Sequence, residues 1–311
     1  MSKQKVSVIA VHHNPHLDEW AAIKVLREYG EDHFTGVSKA KIVVWGKTEL
    51  SHLPPRVTVY NETLLVGMGG GAFDDHVCSP RKECATTLVV KHLGLDKDPA
   101  IRAFANSVFQ ADSQINGPAH ALAEEIKRLN RYWVGSLDLE KMYAAIEPFL
   151  TAHVGYHKER IDAKKRFSFC YKKHVNGFLV VAASELDNCQ FQHIARGGGA
   201  DIIVQRNSHG LTQIFGHESL DMPGLWAKVR KSEIVKSNLR FERFLNDVYL
   251  SRSGTLPEVP HWHGEGNNLL NGSESFPDVL PSNIPFDHLV RIVEKHIAGL
   301  VKENRQVSEA A

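Results

Sequence analysis

Short β-branched runs alternating with helical stripes constrain the first half of this chain more than any other feature. Val6–Val11, Lys41–Trp45, Arg56–Tyr60 and Thr63–Met68 read as strands, each too short and too rich in branched residues for a helix. Pro54-Pro55 breaks the chain between the second and third of these runs. Helical patterns fill the intervals. Ala22, Ile23, Leu26 and Tyr29 form one apolar stripe, with Lys24, Arg27 and Glu28 facing water and Asp18 or a neighbour as its cap. A second helix is predicted from about Glu83 to His92, with His92 as a satisfied core histidine, and a third ends near Asp112. Two more cover about Pro118–Leu129 and Leu137–Phe149, the latter with Ser136 as candidate N-cap. The alternation predicts an α/β domain: a mostly parallel sheet flanked by helices.

A chain of 311 residues is long enough for two domains. The charged segment His157–Arg166 reads as a linker or the exposed end of a helix, and it divides the chain into 1–160 and 161–311. Beyond it, strands are expected at Phe178–Ala183, Ala200–Gln205 and Leu211–Phe215. A last helix carries Phe286, Leu289, Val290, Val293 and Ile297, which predicts a smaller α+β C-terminal domain. With 37 basic and 36 acidic residues the chain has no global field to hold nucleic acid, so any polyanion site must be local. The basic runs Lys164–Arg166, Lys172-Lys173 and Lys228–Lys231 could follow a nucleic-acid backbone, or be solvated faces. Four cysteines without CxxC spacing suit reduced thiols, no apolar run is long enough to span a bilayer, and the apolar start is too short for a signal peptide. A cytoplasmic protein with no membrane partner is expected.

The densest chemistry lies in two runs, each placed where a strand gives way to a loop. His12 and His16 are four apart with Asp18 two further on, and Pro15 stiffens the turn between them, so that little entropy is lost on closing around a metal. Glu19 can orient a histidine or a water from behind. Equally, Asp18 and Glu19 can cap the helix and favour its dipole. The second run is Gly69-Gly70-Gly71, which lets a ligand approach the backbone, followed by Asp74, Asp75 and His76. Oxygen and nitrogen donors without thiolates favour Mn²⁺, Mg²⁺ or Zn²⁺ and point to a metal-dependent hydrolase. Cys78 and Cys84 beside His76 lack a second ligand pair for a zinc knot.

HxNPxxD at His12–Asp18 and Asp-Asp-His at Asp74–His76 resemble the motifs of the DHH phosphoesterase superfamily. The branch most similar is the melanocyte-proliferating-gene type, a group of 3′→5′ RNA exonucleases, matched by His16-Leu17-Asp18-Glu19. Cys84–Gly94 and the turn Asp112–Gly117, with Asn116-Gly117, are similar to further stretches of that branch, so the resemblance spans about residues 6–117. It implies that His12 and His16 hold one metal and that Asp18, Asp75 and Asp112 hold another. It also implies that His76 contacts the phosphate or its leaving oxygen. The family's bridging aspartate corresponds to Gly67 here, so Asp74 or Glu19 would have to supply that carboxylate; otherwise the site holds one ion or is degenerate. The implied cofactor is Mn²⁺ or Mg²⁺, one or two ions per chain, lowering the pKa of a shared water and clamping the attacking and leaving oxygens.

Family members usually grip substrate with a C-terminal domain. Arg196-Gly197-Gly198-Gly199 is placed to meet a phosphate, or is a flexible turn. The loop containing His263, Asn267 and Asn268 is polar and glycine-rich enough to line a cleft. The implied activity is a metal-dependent phosphodiesterase acting 3′→5′ on single-stranded RNA or DNA. A hydrolase of small phosphoesters or short oligonucleotides, and a catalytically weakened nucleotide- or nucleic-acid-binding protein, are the other two readings. Homo-oligomerisation is left open.

Overall fold

The computed structural model describes residues 3–77, 83–115, 117–132, 138–239, 246–272 and 278–300. Cys78, Asn116, Ser136 and Leu137 lie outside the described residues. The chain forms two compact units, Met1–Ile161 and Asp162–Ala311.

In the first unit the chain runs through β1 (Gln4–Lys5), β2 (Val8–Val11), α1 (Leu17–Tyr29), β3 (Phe34–Thr35), β4 (Lys41–Val44) and α2 (Lys47–Leu50). It continues through β5 (Val59–Tyr60), β6 (Thr63–Leu65), α3 (Ala85–His92), α4 (Pro99–Asp112) and α5 (His120–Tyr132) to α6 (Leu139–Phe169). The four-stranded sheet has the order β4-β2-β6-β5. β2 pairs in parallel with β4 and with β6, whereas β5 and β6 are antiparallel. The reversal is local. Asn61 and Glu62 both take positive φ, 46° and 59°, as a two-residue hairpin turn requires.

The second unit follows with β7 (Tyr171–Val175), β8 (Phe178–Ala183), α7 (Phe191–Gly197), β9 (Ile202–Arg206), β10 (Thr212–Gly216) and α8 (Met222–Lys236). α9 (Asp247–Leu250), β11 (Gly254–Leu256), β12 (Val259–Glu265), β13 (Asn268–Asn271) and α10 (Phe286–Ala298) complete it. Its seven-stranded sheet, β11-β12-β13-β10-β9-β8-β7, contains one parallel pair, β8 with β9. Every other neighbour is antiparallel. The expected mostly parallel sheet is therefore corrected: the protein is mixed α/β, and its described residues form a small parallel pair, β1 with β3, one mixed sheet and one larger, largely antiparallel sheet. The cause is turn chemistry. Asn176-Gly177, with φ of 48° and 79°, closes β7 onto β8 as a tight hairpin.

Other expectations also change. Of the two readings of His157–Arg166, linker or exposed end of a helix, the second holds: the segment lies in the last third of the 31-residue helix α6 and is mostly exposed. Lys24 does not face water: it is buried and bonded to Glu28, Glu147 and Thr151. α1 is buried from Leu17 to Leu26 because it packs against α3 and α4. His92 is exposed rather than internal, and its ring stacks on Phe34 with centroids 5.6 Å apart. Arg230, in a basic run read as a solvated face, is fully buried. Among the described residues no helix is long and apolar enough to cross a membrane.

Candidate metal centre

The parallel pairing of β2 with β6 brings two chain segments to one sheet edge. Val66 N–H donates to Ala10 O, so the residues that follow each strand, His12 and Gly67, emerge together. Asn14 has φ 56°, which turns the chain sharply before Pro15 and lets His16 cap α1. Asn130 of α5 fastens this loop, its Nδ2 donating to Pro15 O at 3.0 Å. The first turn of α1 then points inward, with Asp18 and Glu19 only 1% and 2% exposed. Helix N-termini favour acidic residues, yet burial this deep goes well beyond capping.

Among the described residues three donor sets result, each with ligand atoms within 4.8 Å of one another: His12, His16 and Glu19; His16, Asp18 and Asp112; Asp74, Asp75 and His76. His12 and His16 thus come together as expected, and Glu19 joins them. Asp18 and Asp112 also come together, with His16 shared between the two sets. Asp75 falls outside the Asp18–Asp112 set and groups instead with Asp74 and His76. The oxygens of Asp74 serve its own loop. Oδ2 accepts from Gly70 N at 2.7 Å; Oδ1 accepts from His76 N at 3.0 Å and lies 2.9 Å from His76 Nδ1. Asp74 is therefore a positioning group for His76, whose side chain stays largely exposed.

The electrostatics set a buried group of acids beside a single histidine–carboxylate pair. Burial, with the charges of Glu19 and Asp112 added, pushes the Asp18 carboxyl well above its ordinary range. Its Oδ1 is buried without a hydrogen-bond partner, Oδ2 accepts a 3.4 Å contact from Ala85 N, and the neighbouring Glu19 carboxyl contributes a further side-chain interaction. Burial also raises the Glu19 carboxyl, but the His12 hydrogen bond and charge outweigh it and bring the group down to about 2. The bond to Glu19 correspondingly lifts His12 to about 9, against its own desolvation. His12 Nε2 lies 2.9 Å from Glu19 Oε1, and Glu19 Oε2 accepts His16 N–H at 2.7 Å. His12, His16, Glu19, Gly67, His76 and Asp112 line a cavity of about 490 Å³.

Gly67 explains how Glu19 fits. Its φ is +69°, and a Cβ built there would lie 2.5 Å from Glu19 Oε1. The Glu19 carboxylate thus occupies the space a side chain at 67 would take. The donor set suits a hard divalent cation such as Mn²⁺ or Mg²⁺. Cys84 is buried and belongs to none of these donor sets, so no zinc–thiolate site forms around it among the described residues.

The second-unit candidates have other occupations. Arg196 Nη1 donates to Ala200 O and Asp201 O, and Nη2 donates to Gly216 O. The phosphate contact expected of Arg196 is replaced by a backbone staple. Gly198 packs so tightly that a Cβ would lie 2.4 Å from the Phe167 ring; Gly197 and Gly199 face open space. His263, on β12, bonds Thr255 at 3.0 Å, Asn267 O accepts Gly216 N–H, and Asn268 pairs with Phe215 in the sheet. These contacts account for the segment without a ligand.

Lys127, on α5, also lines the cavity, and no spacing in the sequence ties it to His16. Only the fold brings it there. Against known proteins, no family model and no curated protein matches the chain. An uncharacterized protein from Helicobacter pylori G27 is similar at 9% identity over 95% of this chain and 99% of that one. The TM-score is 0.25, a likeness that supports no conclusion about fold or activity.

Proposed function

We propose that this protein is a divalent-cation-dependent phosphoesterase whose centre lies in the first unit. The observation that carries this reading is the pair of donor sets sharing His16, with Asp18 Oδ1 buried in the midst of other carboxylates and lacking a proton donor. Buried acids in such a cluster need a cation or protons to offset their charge. Among the described residues lining the cavity, Lys127 is the one lysine or arginine. His12, His16 and Glu19 would hold one Mn²⁺ or Mg²⁺, and His16, Asp18 and Asp112 a second. Such ions supply Lewis acidity and make water a nucleophile at neutral pH.

The chain's own groups then have defined tasks. Glu19 takes the place that Gly67 leaves open and fixes His12. Asp74 orients His76 at the cavity wall, where the imidazole can donate to a phosphate oxygen and steady developing charge. The finer reading follows the DHH motif resemblance: a 3′→5′ exonuclease on single-stranded RNA or DNA. Cys84 and Cys170 are free thiols, which accords with a cytoplasmic setting.

Purified protein treated with Mn²⁺ should retain one or two equivalents and cleave a labelled oligonucleotide from its 3′ end. Asp18→Ala and His76→Ala should lower that cleavage on the order of 10²- to 10³-fold. Unchanged turnover in both variants would rule out the assignment. No bound cation and no cleavage would favour the nucleotide-binding reading instead.

A further inference from the structure

Beside the metal centre lies a second pocket with the opposite charge. It has a volume of about 230 Å³ and is lined by Asn14, His16, Lys127, Asn130 and Arg131. It shares His16 and Lys127 with the larger cavity, so the two hollows adjoin across these side chains. We infer that this annex binds a second phosphate of the substrate, so that the substrate is a chain carrying at least two phosphates rather than a small monoester. The inference rests on the phosphoesterase reading.

Lys127 and Arg131 are one helical turn apart on α5 and present their charges on the same side. Arg131 is exposed, and among the described residues no ion pair engages it. Lys127 pairs with Glu124 at 2.8 Å, but both side chains are 41% exposed. Such a pair is weak and gives way to a better anion. Asn130, between them in the sequence, is buried and holds α5 to the Pro15 carbonyl. The annex therefore keeps a fixed place next to His16. Asn14, held at φ 56° on the facing loop, adds an amide to the rim. Guanidinium, ammonium and amide groups around one hollow suit a phosphate, with Arg131 able to make two parallel hydrogen bonds. Arg128 shows what an uninvolved base on the same helix looks like: it is exposed, pairs with Glu125, and lines neither hollow.

The test compares tri-thymidylate, which has two phosphodiesters, with analogues in which one linkage is an uncharged methylphosphonate. Binding is measured calorimetrically with Ca²⁺ present and again in EDTA. The full chain should bind the doubly charged probe at least fivefold tighter than either analogue. Arg131→Gln and Lys127→Gln should each erase most of that preference, and reduce the slope of log affinity against log salt by about 0.7. Arg128→Gln should keep it. Equal affinity for probe and analogues, no detectable binding, or an Arg128→Gln loss as large as that of Arg131→Gln would overturn the annex. Mn²⁺-dependent cleavage of the same probe is scored separately. Cleavage without the charge preference removes the annex and leaves the hydrolase; the preference without cleavage does the reverse.

Discussion

Each unit buries charge at the start or middle of a helix, and the two do so in opposite ways. On α8, Glu233 is fully buried and its carboxylate receives four donors: Ser237 Oγ at 2.6 Å, Trp262 Nε1 at 2.8 Å, Ser282 Oγ at 2.5 Å and Asn283 N at 2.9 Å. One turn earlier, Arg230 donates its terminal nitrogens to the carbonyls of Leu250, Arg252, Gly254 and Trp262. Both oxygens of the Glu233 carboxylate are hydrogen-bonded there and organise the fold, while Arg230 keeps Nε without a partner. On α1, Asp18 and Glu19 are as deeply buried, but Asp18 keeps an orphan oxygen and the cluster gathers further acids. The Glu233 carboxylate is satisfied by the chain itself; the Asp18 carboxylate asks for a cation. Burial alone separates nothing, and satisfaction of the buried carboxylate oxygens does.

The largest effect expected from breaking this contrast is in the complete network. Glu233→Ala should cost about 3–5 kcal/mol, because it strands the buried indole, hydroxyl and amide donors that the carboxylate now accepts from. Chemical denaturation would read the loss; a cost below about 1 kcal/mol would show that the network is not the keystone drawn above. The same group has a pH signature. Burial raises the Glu233 carboxyl, but its hydrogen bonds outweigh that and hold it below the ordinary value. Its contribution is present above the unfolded pKa of about 4.3 and is lost as pH falls through the lower folded value. Wild-type stability should thus fall more steeply on acidification in this range than that of Glu233→Gln.

The incomplete site should respond with the opposite sign. Asp18→Asn removes charge from an acid that burial already disfavours, so the metal-free protein should gain about 1–3 kcal/mol. Mn²⁺ at a hundred times its Kd should stabilise the wild type by about 2.7 kcal/mol and Asp18→Asn hardly at all. Calorimetric melting with and without Mn²⁺ measures both. A variant stabilised by Mn²⁺ as strongly as the wild type would detach Asp18 from the cation site.

Much of the first unit was legible in its residues, for reasons the geometry makes plain. The spacing of His12, His16, Asp18 and Glu19 sits on a strand end, a tight turn and a helix start, all short-range features that a sequence encodes directly. The same holds for the glycines before Asp74. What spacing does not carry is which donors share an ion: Asp75 parts from Asp112, and His16 joins both sets, because β6 and α4 arrive from far along the chain. Sheet direction was misjudged because strand–helix alternation outweighed Asn61 and Asn176-Gly177, the local signs of antiparallel hairpins. Polar strands such as β7, four of whose five residues are exposed, have no apolar run to announce them. Arg196 and Arg230 show the same blind spot in another form, since a basic residue reads identically whether its guanidinium meets solvent, phosphate or backbone carbonyls.

The smallest expected difference is also the sharpest comparison, because it sets two glycines with similar backbones in different surroundings. Gly67 and Gly199 have φ of +69° and +86°, where a side chain strains the backbone by about 1–2 kcal/mol. At Gly199 a Cβ meets nothing within 4 Å, so Gly199→Ala should show that strain alone and leave cation affinity unchanged. At Gly67 the Cβ collides with Glu19 Oε1, and the carboxylate must move off His12. Gly67→Ala should therefore carry a similar strain and also weaken Mn²⁺ binding about tenfold or more, as lost support of a ligand does. Equal Mn²⁺ affinity in the two alanine variants, measured by titration at matched stability, would mean that Glu19 stands at position 67 by packing convenience and not as a ligand.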